Sequence, residues 1–151
     1  MFGLLKKKSI FSEEENNRIV KAIQSSELRT SGEIRIYIES RNPLMSTIDR
    51  AKAIFQQLQM HETQQRNAVL LYLATKDREV AIFGDDGIHQ QVGSAFWTKQ
   101  VEQMIGLFKE NNLVDGIVKC VEEVSQVLIE KFPHQGQADQ NELPDEIVFG
   151  K

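Results

Sequence analysis

The feature that most constrains the fold is an uninterrupted apolar run from Ala68 to Ala74. Such a run predicts a central strand that is covered on both faces, since a half-exposed strand would alternate polar and apolar residues. Residues 33–39 do alternate, which predicts a strand with its isoleucines facing a core. Residues 79–83 form a third β-rich run after a short connection, and we expect it to pair with 68–74 as an antiparallel hairpin.

Apolar residues at helical spacing predict four helices around these strands. The first spans residues 13–27 and begins at a capping box, Ser12 to Glu15. The second begins after Ser46, and Ser94 is placed to cap the third. In the second helix the predicted core-facing positions are Ile48, Ala51, Phe55 and Leu58. In the third they are Trp97, Val101, Met104 and Phe108. In the last they are Leu113, Ile117, Cys120, Val121, Val124, Val127 and Leu128.

The order of these elements predicts an α/β fold, with a small mixed sheet and helices on both faces. The crossover from the first strand to the second should be right-handed and leave the two parallel. The hairpin then returns the chain to the edge where the first two strands begin. We therefore expect residues 84–87 to lie near residues 30–33 and near Arg66 and Asn67.

The segment Gly84-Asp85-Asp86-Gly87 carries the strongest chemical signal. Adjacent carboxylates repel each other unless a cation or a proton separates them, and a glycine on each side lets the backbone curl around one point. Calcium and magnesium favour such oxygen-only surroundings. A plain polar turn is the alternative, because Asp-Gly is a common turn dipeptide. Glu33 is either a third acidic ligand or a solvated residue at the edge of the sheet.

Other polar residues near this end of the fold have two interpretations each. Asp115 is a helix cap or a ligand. Arg66 is a surface arginine or a phosphate-binding group. His89 is an exposed helical residue or a proton carrier at a metal-bound water.

Length and composition predict one ordinary domain that is not a nucleic-acid binder. The chain has 151 residues, a formal net charge of −4 and a pI near 5.4, whereas nucleic-acid-binding domains are normally basic. No apolar run approaches the ~20 residues that span a bilayer, and residues 1–8 do not read as a secretory signal. One cysteine fits a reducing compartment. We expect a cytoplasmic monomer with an N-terminal extension (1–11), a domain (12–132) and a partly flexible tail (133–151), in which 147–149 is an edge strand or a sticky peptide.

Several motifs, in order along the chain, resemble the TPM domain over about residues 10–132. This domain is shared by a thylakoid-lumen acid phosphatase, a photosystem II repair protein, a nematode receptor modulator and many bacterial proteins. The segments that carry the resemblance are Ser31-Gly32-Glu33-Ile34-Arg35, residues 66–74, residues 81–88, Val92-Gly93, Phe96-Trp97 and Asp115-Gly116-Ile117.

The resemblance implies a three-layer α/β/α sandwich with a divalent-metal site, usually described with calcium, around the acidic turn. Transferred to this chain, its pattern points to Asp85 and Asp86, then to Glu33 and Asp115, as metal ligands. It also implies acid phosphatase activity for some members, and many members are exported or membrane-anchored. We expect a domain that binds Ca²⁺, with Mg²⁺ as the second choice. The alternatives are a metal-assisted phosphomonoester hydrolase, or an adaptor that contacts a protein partner through the acidic edge or the tail.

Overall fold

The computed structural model describes residues 10–43, 45–136 and 146–150. The helices are α1 (Glu13–Glu27), α2 (Thr47–Gln57), α3 (Asp86–Val92), α4 (Ser94–Lys109) and α5 (Leu113–Lys131). The strands are β1 (Glu33–Glu39), β2 (Ala68–Ala74), β3 (Glu79–Gly84) and β4 (Val148–Phe149). They form one sheet in the order β3-β2-β1-β4. The predicted parallel pairing of β1 with β2 and the antiparallel β2–β3 hairpin are both confirmed.

The sheet is covered on both faces, so the predicted three-layer α/β/α sandwich is confirmed. On one face, alternate strand residues such as Ile36 and Leu71 pack against apolar side chains of α1, α3, α4 and α5. On the other face, Leu70 and Tyr72 pack against α2. All seven residues of β2 are buried, which is why this strand lacks the polar alternation of a half-exposed strand.

Two local predictions were wrong. Ala51 and Phe55 of α2 are buried as predicted, but Ile48 is 41 % exposed and Ile54 takes its place in the core. The reason is that Thr47 donates a hydrogen bond to Glu79 of β3, so Ile48, about 100° further around the helix, points away from the sheet.

Ser94 is not the cap of α4. The N-cap is Gly93, whose φ of 76° lies in the left-handed region. Glycine reaches this conformation without steric cost. The chain therefore turns at Gly93, between α3 and α4, and Ser94 is already the first helical residue.

Near the C-terminus, residues 146–150 lie along the outer edge of β1. Val148 and Phe149 of β4 pair in parallel with Tyr37 and Ile38, and Ile147 is buried in the larger core. Of the two predictions for 147–149, the edge strand is the one observed. The mobile stretch was predicted over residues 133–142. Its first four residues are described, with Pro133 bridged to Thr30 and the amide of His134 bonded to Arg29, and the remainder lies outside the described residues. Within the described part of the chain, no helix is long and apolar enough to cross a membrane.

Candidate functional site

Two carboxylates lie on either side of β2 at the edge where β1 and β2 begin. The strand register places Glu33 opposite Ala68, and the backbone amide of Asp85 donates to the carbonyl of Ala68 at 3.0 Å. Glu33 is 4 % exposed and Asp85 is 3 % exposed. The predicted placement of the acidic turn beside residues 30–33 is thus confirmed, and Glu33 is not a solvated residue. We call this region the acidic edge: Glu33, Asn67, Asp85 and Asp86.

The acidic turn is the start of a helix rather than a hairpin turn. Asp85 is the N-cap of α3, and its carboxylate accepts a hydrogen bond from the amide of Asp86. Neither flanking glycine has a positive φ, so glycine is not needed here for an unusual backbone conformation. It is needed because a side chain would collide with neighbouring atoms. A Cβ at Gly84 would lie 2.4 Å from the Trp97 ring, and one at Gly87 would lie 2.1 Å from the carbonyl oxygen of Gln65.

Arg66 neutralises Asp85 with a two-pronged contact. Its Nε donates to Oδ2 of Asp85 at 2.6 Å, and its Nη2 donates to Oδ1 at 2.8 Å. Nη2 is also 3.9 Å from Oδ2 of Asp86, whose side chain is 79 % exposed. The hydrogen bond to Asp85 raises the pKa of Arg66 above its usual value. This guanidinium is therefore engaged by carboxylates and is not an open phosphate-binding group.

A buried amide at the acidic edge has an oxygen without a partner. Asn67 is 1 % exposed, and its Nδ2 donates to Oγ of Ser31 at 3.2 Å. Its backbone carbonyl accepts from the amide of Glu33. Its side-chain Oδ1 is buried and accepts no hydrogen bond among the described residues. Leaving such an acceptor unsatisfied costs about 1–3 kcal/mol, so this oxygen is available to accept a bond from a water molecule or a ligand.

His89, considered above as a proton carrier, is tied to the core instead. The ring is exposed on α3, and its Nδ1 accepts a hydrogen bond from Nε1 of Trp97 at 3.0 Å. Because an indole N–H can only donate, Nδ1 must be the acceptor nitrogen. The contact gives the ring a structural role between α3 and α4.

Asp115 does not lie at the acidic edge. It is in the first turn of α5, where Arg18 of α1 donates to its Oδ1 at 2.9 Å in an exposed ion pair. Both residues line a cleft of about 400 Å³ together with Thr75, which follows the opposite end of β2. The four candidate ligands are thus not one set. In the described part of the chain, no three His, Cys, Asp or Glu side chains are arranged to hold a metal ion, so a cation at the acidic edge needs other oxygens or a movement of side chains.

A further buried carboxylate, which sequence reasoning missed, lies at the far end of β1. Glu39 is 5 % exposed and accepts two hydrogen bonds from Arg50 and one from Tyr72. Burial alone would raise the pKa of Glu39, but the hydrogen bonds from Arg50 and Tyr72 outweigh burial and lower it. Because its oxygens are satisfied, this group holds α2 against the sheet.

An α/β/α sandwich with an acidic helix start beside the first residues of two parallel strands is the architecture that the resemblance implied. The chain belongs to the TPM domain family, whose sequence model matches residues 5–127. No curated protein matched the chain.

Solved structures agree with this assignment. The BA42 protein of the psychrophilic bacterium Bizionia argentinensis is 35 % identical, with a TM-score of 0.86, over 97 % of this chain and 99 % of that one. The N-terminal domain of the cg2496 protein of Corynebacterium glutamicum is 14 % identical, with a TM-score of 0.64, over 81 % of this chain and 76 % of that one. An N-terminal domain of a protein from P. gingivalis is 18 % identical, with a TM-score of 0.64, over 84 % of this chain and 83 % of that one. At these lower identities the last two show the fold alone.

Proposed function

We propose that this protein binds a divalent cation, calcium in preference to magnesium, at the acidic edge. The proposed ligands are Asp86, Asp85, Glu33 and the side-chain oxygen of Asn67. The observation that carries the proposal is the buried Oδ1 of Asn67, which lacks a hydrogen-bond partner among the described residues. Its residue precedes Ala68, whose backbone neighbours in the sheet are the buried Glu33 and Asp85. Asp115 is not in the proposed set, because it pairs with Arg18 in a different region.

The chemistry of this set suits a hard cation. All four side chains offer oxygen, and carboxylate and amide oxygens are ligands that calcium takes. Asp86 is 79 % exposed, so its side chain is free to rotate towards an ion. Calcium accepts six to eight oxygens in irregular arrangements, whereas magnesium requires near-ideal octahedral geometry. An edge with buried, fixed oxygens and one mobile carboxylate therefore favours calcium.

The test is calcium titration of the full chain by calorimetry and by thermal unfolding. Calcium at ~100 times its dissociation constant stabilises a folded protein by about 2.7 kcal/mol, which for this size corresponds to roughly 5–10 °C in Tm. Asp86→Asn should lose most of that shift while keeping the fold, since Asp86 is exposed and at a helix start. Asp115→Asn is the matched control. It makes the same chemical change elsewhere on the surface and should respond to calcium like the wild type.

Two results would contradict the proposal. One is the absence of binding of either calcium or magnesium by the wild type. The other is an equal response of the wild type, Asp86→Asn and Asn67→Ala, which would place any cation elsewhere on the molecule.

Hydrolysis of phosphate esters is not proposed, although the resemblance implies it for some members. The groups considered for that chemistry are Arg66 and His89. The first is bound to Asp85 and the second to Trp97. No separate observation favours a catalytic role.

A further inference from the structure

We propose that the outer edge of β1 is a peptide-binding groove, which takes an extended, carboxylate-bearing segment of a partner protein in place of this chain's own residues 146–150. The β1 groove comprises Arg35, Tyr37 and Ile38 together with Phe11. The segment that fills it in this structure shows which side chains fit. The inference does not rest on the proposed cation site.

The apolar positions of the β1 groove are defined by the chain's own segment. Ile147 is 9 % exposed and belongs to the larger core. The ring of Phe149 packs against Phe11, with 6.4 Å between the ring centroids. Val148, between them, is partly buried against the smaller core. The groove therefore accepts an aliphatic residue and, two positions later, an aromatic one.

The backbone of the segment is held as an added strand. β4 pairs in parallel with Tyr37 and Ile38, and the amide of Gly150 donates to the carbonyl of Ile38 at 2.7 Å. A Cβ at Gly150 would lie 2.4 Å from the hydroxyl of Tyr37, so a partner peptide needs glycine after its aromatic residue. When a peptide adds to a sheet edge, main-chain hydrogen bonds supply affinity and side-chain positions supply specificity.

The charged group of the β1 groove is left unsatisfied by the chain's own segment. Arg35 is 8 % exposed. Its Nε is buried without a hydrogen-bond partner, and Arg35 forms no ion pair within the described part of the chain. Burial lowers the pKa of Arg35, and the charge of Glu146 offsets part of this effect. A buried charge without a bonded partner is costly, so this guanidinium favours an occupant that brings a carboxylate to it.

The strand register shows where that carboxylate should come from. Val148 lies opposite Tyr37, so two residues earlier in both strands Glu146 corresponds to Arg35. The chain bends at Glu146 instead of continuing as a strand, and the pair does not close. A partner peptide that stays extended through this position brings its carboxylate to the guanidinium, where a two-pronged contact can form. That contact gives the partner an advantage over the chain's own segment.

The experiment is a fluorescence-anisotropy titration of the full chain with a labelled synthetic peptide of residues 144–150. Ile147→Ala in the protein weakens the hold of its own segment. This variant should bind the peptide roughly tenfold more tightly than the wild type, because a larger fraction of molecules has an open groove. Thermal unfolding of each variant checks that it is folded.

Arg35 is tested within the Ile147→Ala chain. Adding Arg35→Gln should weaken peptide binding about tenfold, as expected for loss of a charged hydrogen bond. A peptide with Glu146→Gln should bind as weakly, and should lose nothing further when Arg35 is replaced. Arg18→Gln, which removes an equal charge from an exposed ion pair elsewhere, is the control and should leave binding unchanged.

Three results would overturn the proposal. One is the absence of peptide binding by both the wild type and Ile147→Ala. Another is equal binding with and without Arg35. The third is a wild-type dimer in sedimentation that the peptide converts to a monomer, since the occupant would then be a second copy of this chain.

Should Ile147→Ala not fold, an NMR titration of the ¹⁵N-labelled wild type decides. At millimolar peptide, which matches the effective concentration of a tethered segment, the amide resonance of Gly150 should move as its bond to Ile38 breaks. An unchanged Gly150 resonance would show that the edge of β1 does not exchange its occupant.

Discussion

Two buried carboxylates at opposite ends of the strands, Glu39 at the end of β1 and Asp85 after β3, differ in what neutralises them. Glu39 is bound by Arg50 of α2, which is 19 % exposed and packed between the helix and the sheet. Asp85 is bound by Arg66, which is 48 % exposed and lies on a connecting segment. Because a more buried ion pair is less screened by water, we assign the first pair to stability.

Glu39→Gln tests the structural pair. The folded-state pKa of Glu39 is lowered, so its contribution to stability is present above the unfolded pKa of about 4.3 and is lost as the pH falls through the folded pKa. At pH 7 the substitution should lower the free energy of unfolding by about 2–4 kcal/mol, because it leaves Arg50 without its charged partner. At pH 3 the difference should be much smaller.

Urea denaturation at the two pH values measures this difference. Asp115→Asn, in the exposed pair with Arg18, is the control and should change the free energy of unfolding by less than about 1 kcal/mol. An equal cost of Glu39→Gln at pH 3 and pH 7 would show that the charge of Glu39 is not the stabilising feature.

At this scale the sequence revealed part of the site. Asp85, Asp86 and Glu33 stand out as carboxylates next to strands. Asn67 and Glu39 do not, because each directly borders or ends a strand and reads equally well as a solvated residue. Their burial follows from tertiary contacts, with Ser31 for Asn67 and with Arg50 for Glu39.

At the scale of elements, the junction between β3 and α3 shows why the presence of a strand is easier to predict than the contacts made at its end. Hydrophobic periodicity placed the strand, but the four predicted helices did not include the seven-residue helix that follows it. The glycines on either side of the aspartates were given the wrong reason, since their φ values are ordinary. What they permit is close approach, by the Trp97 ring at Gly84 and by the backbone of Gln65 and Arg66 at Gly87. A contact between segments this far apart along the chain leaves no local signal in the sequence.

Gly87→Ala should therefore be destabilising. The new Cβ would lie 2.1 Å from the carbonyl oxygen of Gln65 and 2.6 Å from that of Arg66, and both atoms belong to the backbone. Overpacking of this kind typically costs about 1–3 kcal/mol, which exceeds the gain of about 1 kcal/mol from the better helix propensity of alanine.

Gly106→Ala in α4 is the matched control, because a Cβ there would meet nothing within 4 Å. It should stabilise the protein by up to about 1 kcal/mol. Chemical denaturation of both variants measures the contrast, and the same sign of effect at the two positions would contradict it.

At the scale of the whole molecule, the sheet joins segments from the middle and from the end of the chain. The β1–α2–β2 crossover and the hairpin follow from general topological rules, and both were predicted. The pairing of β4 was left open, because a short apolar segment after a polar stretch carries no signal for its partner or direction. In the structure it contributes to both cores, with Ile147 on one face and Val148 on the other.

Removal of residues 137–151 should consequently cost stability, although the segment begins with a polar stretch typical of a tail. Truncation after Gly136 keeps the contacts of Thr30 with Pro133 and of His134 with Arg29. It removes β4 and uncovers Tyr37 and Ile38. Burial of one large aliphatic side chain is worth about 1.5–3 kcal/mol, so we expect Tm to fall by roughly 5 °C or more. The uncovered edge of β1 should also promote self-association.

Thermal unfolding and light scattering on the truncated and full chains measure both effects. Two point variants locate the cause. Ile147→Ala should reproduce much of the loss in Tm, because Ile147 is 9 % exposed, while Phe149→Ala, at 47 % exposure, should have a smaller effect. If the truncated chain is as stable as the full one, residues 146–150 are not part of the folding unit, and the adaptor function considered for the tail becomes the better account of its apolar residues. If truncation destabilises but Ile147→Ala is neutral, the stabilising contribution comes from the backbone pairing with β1 rather than from burial.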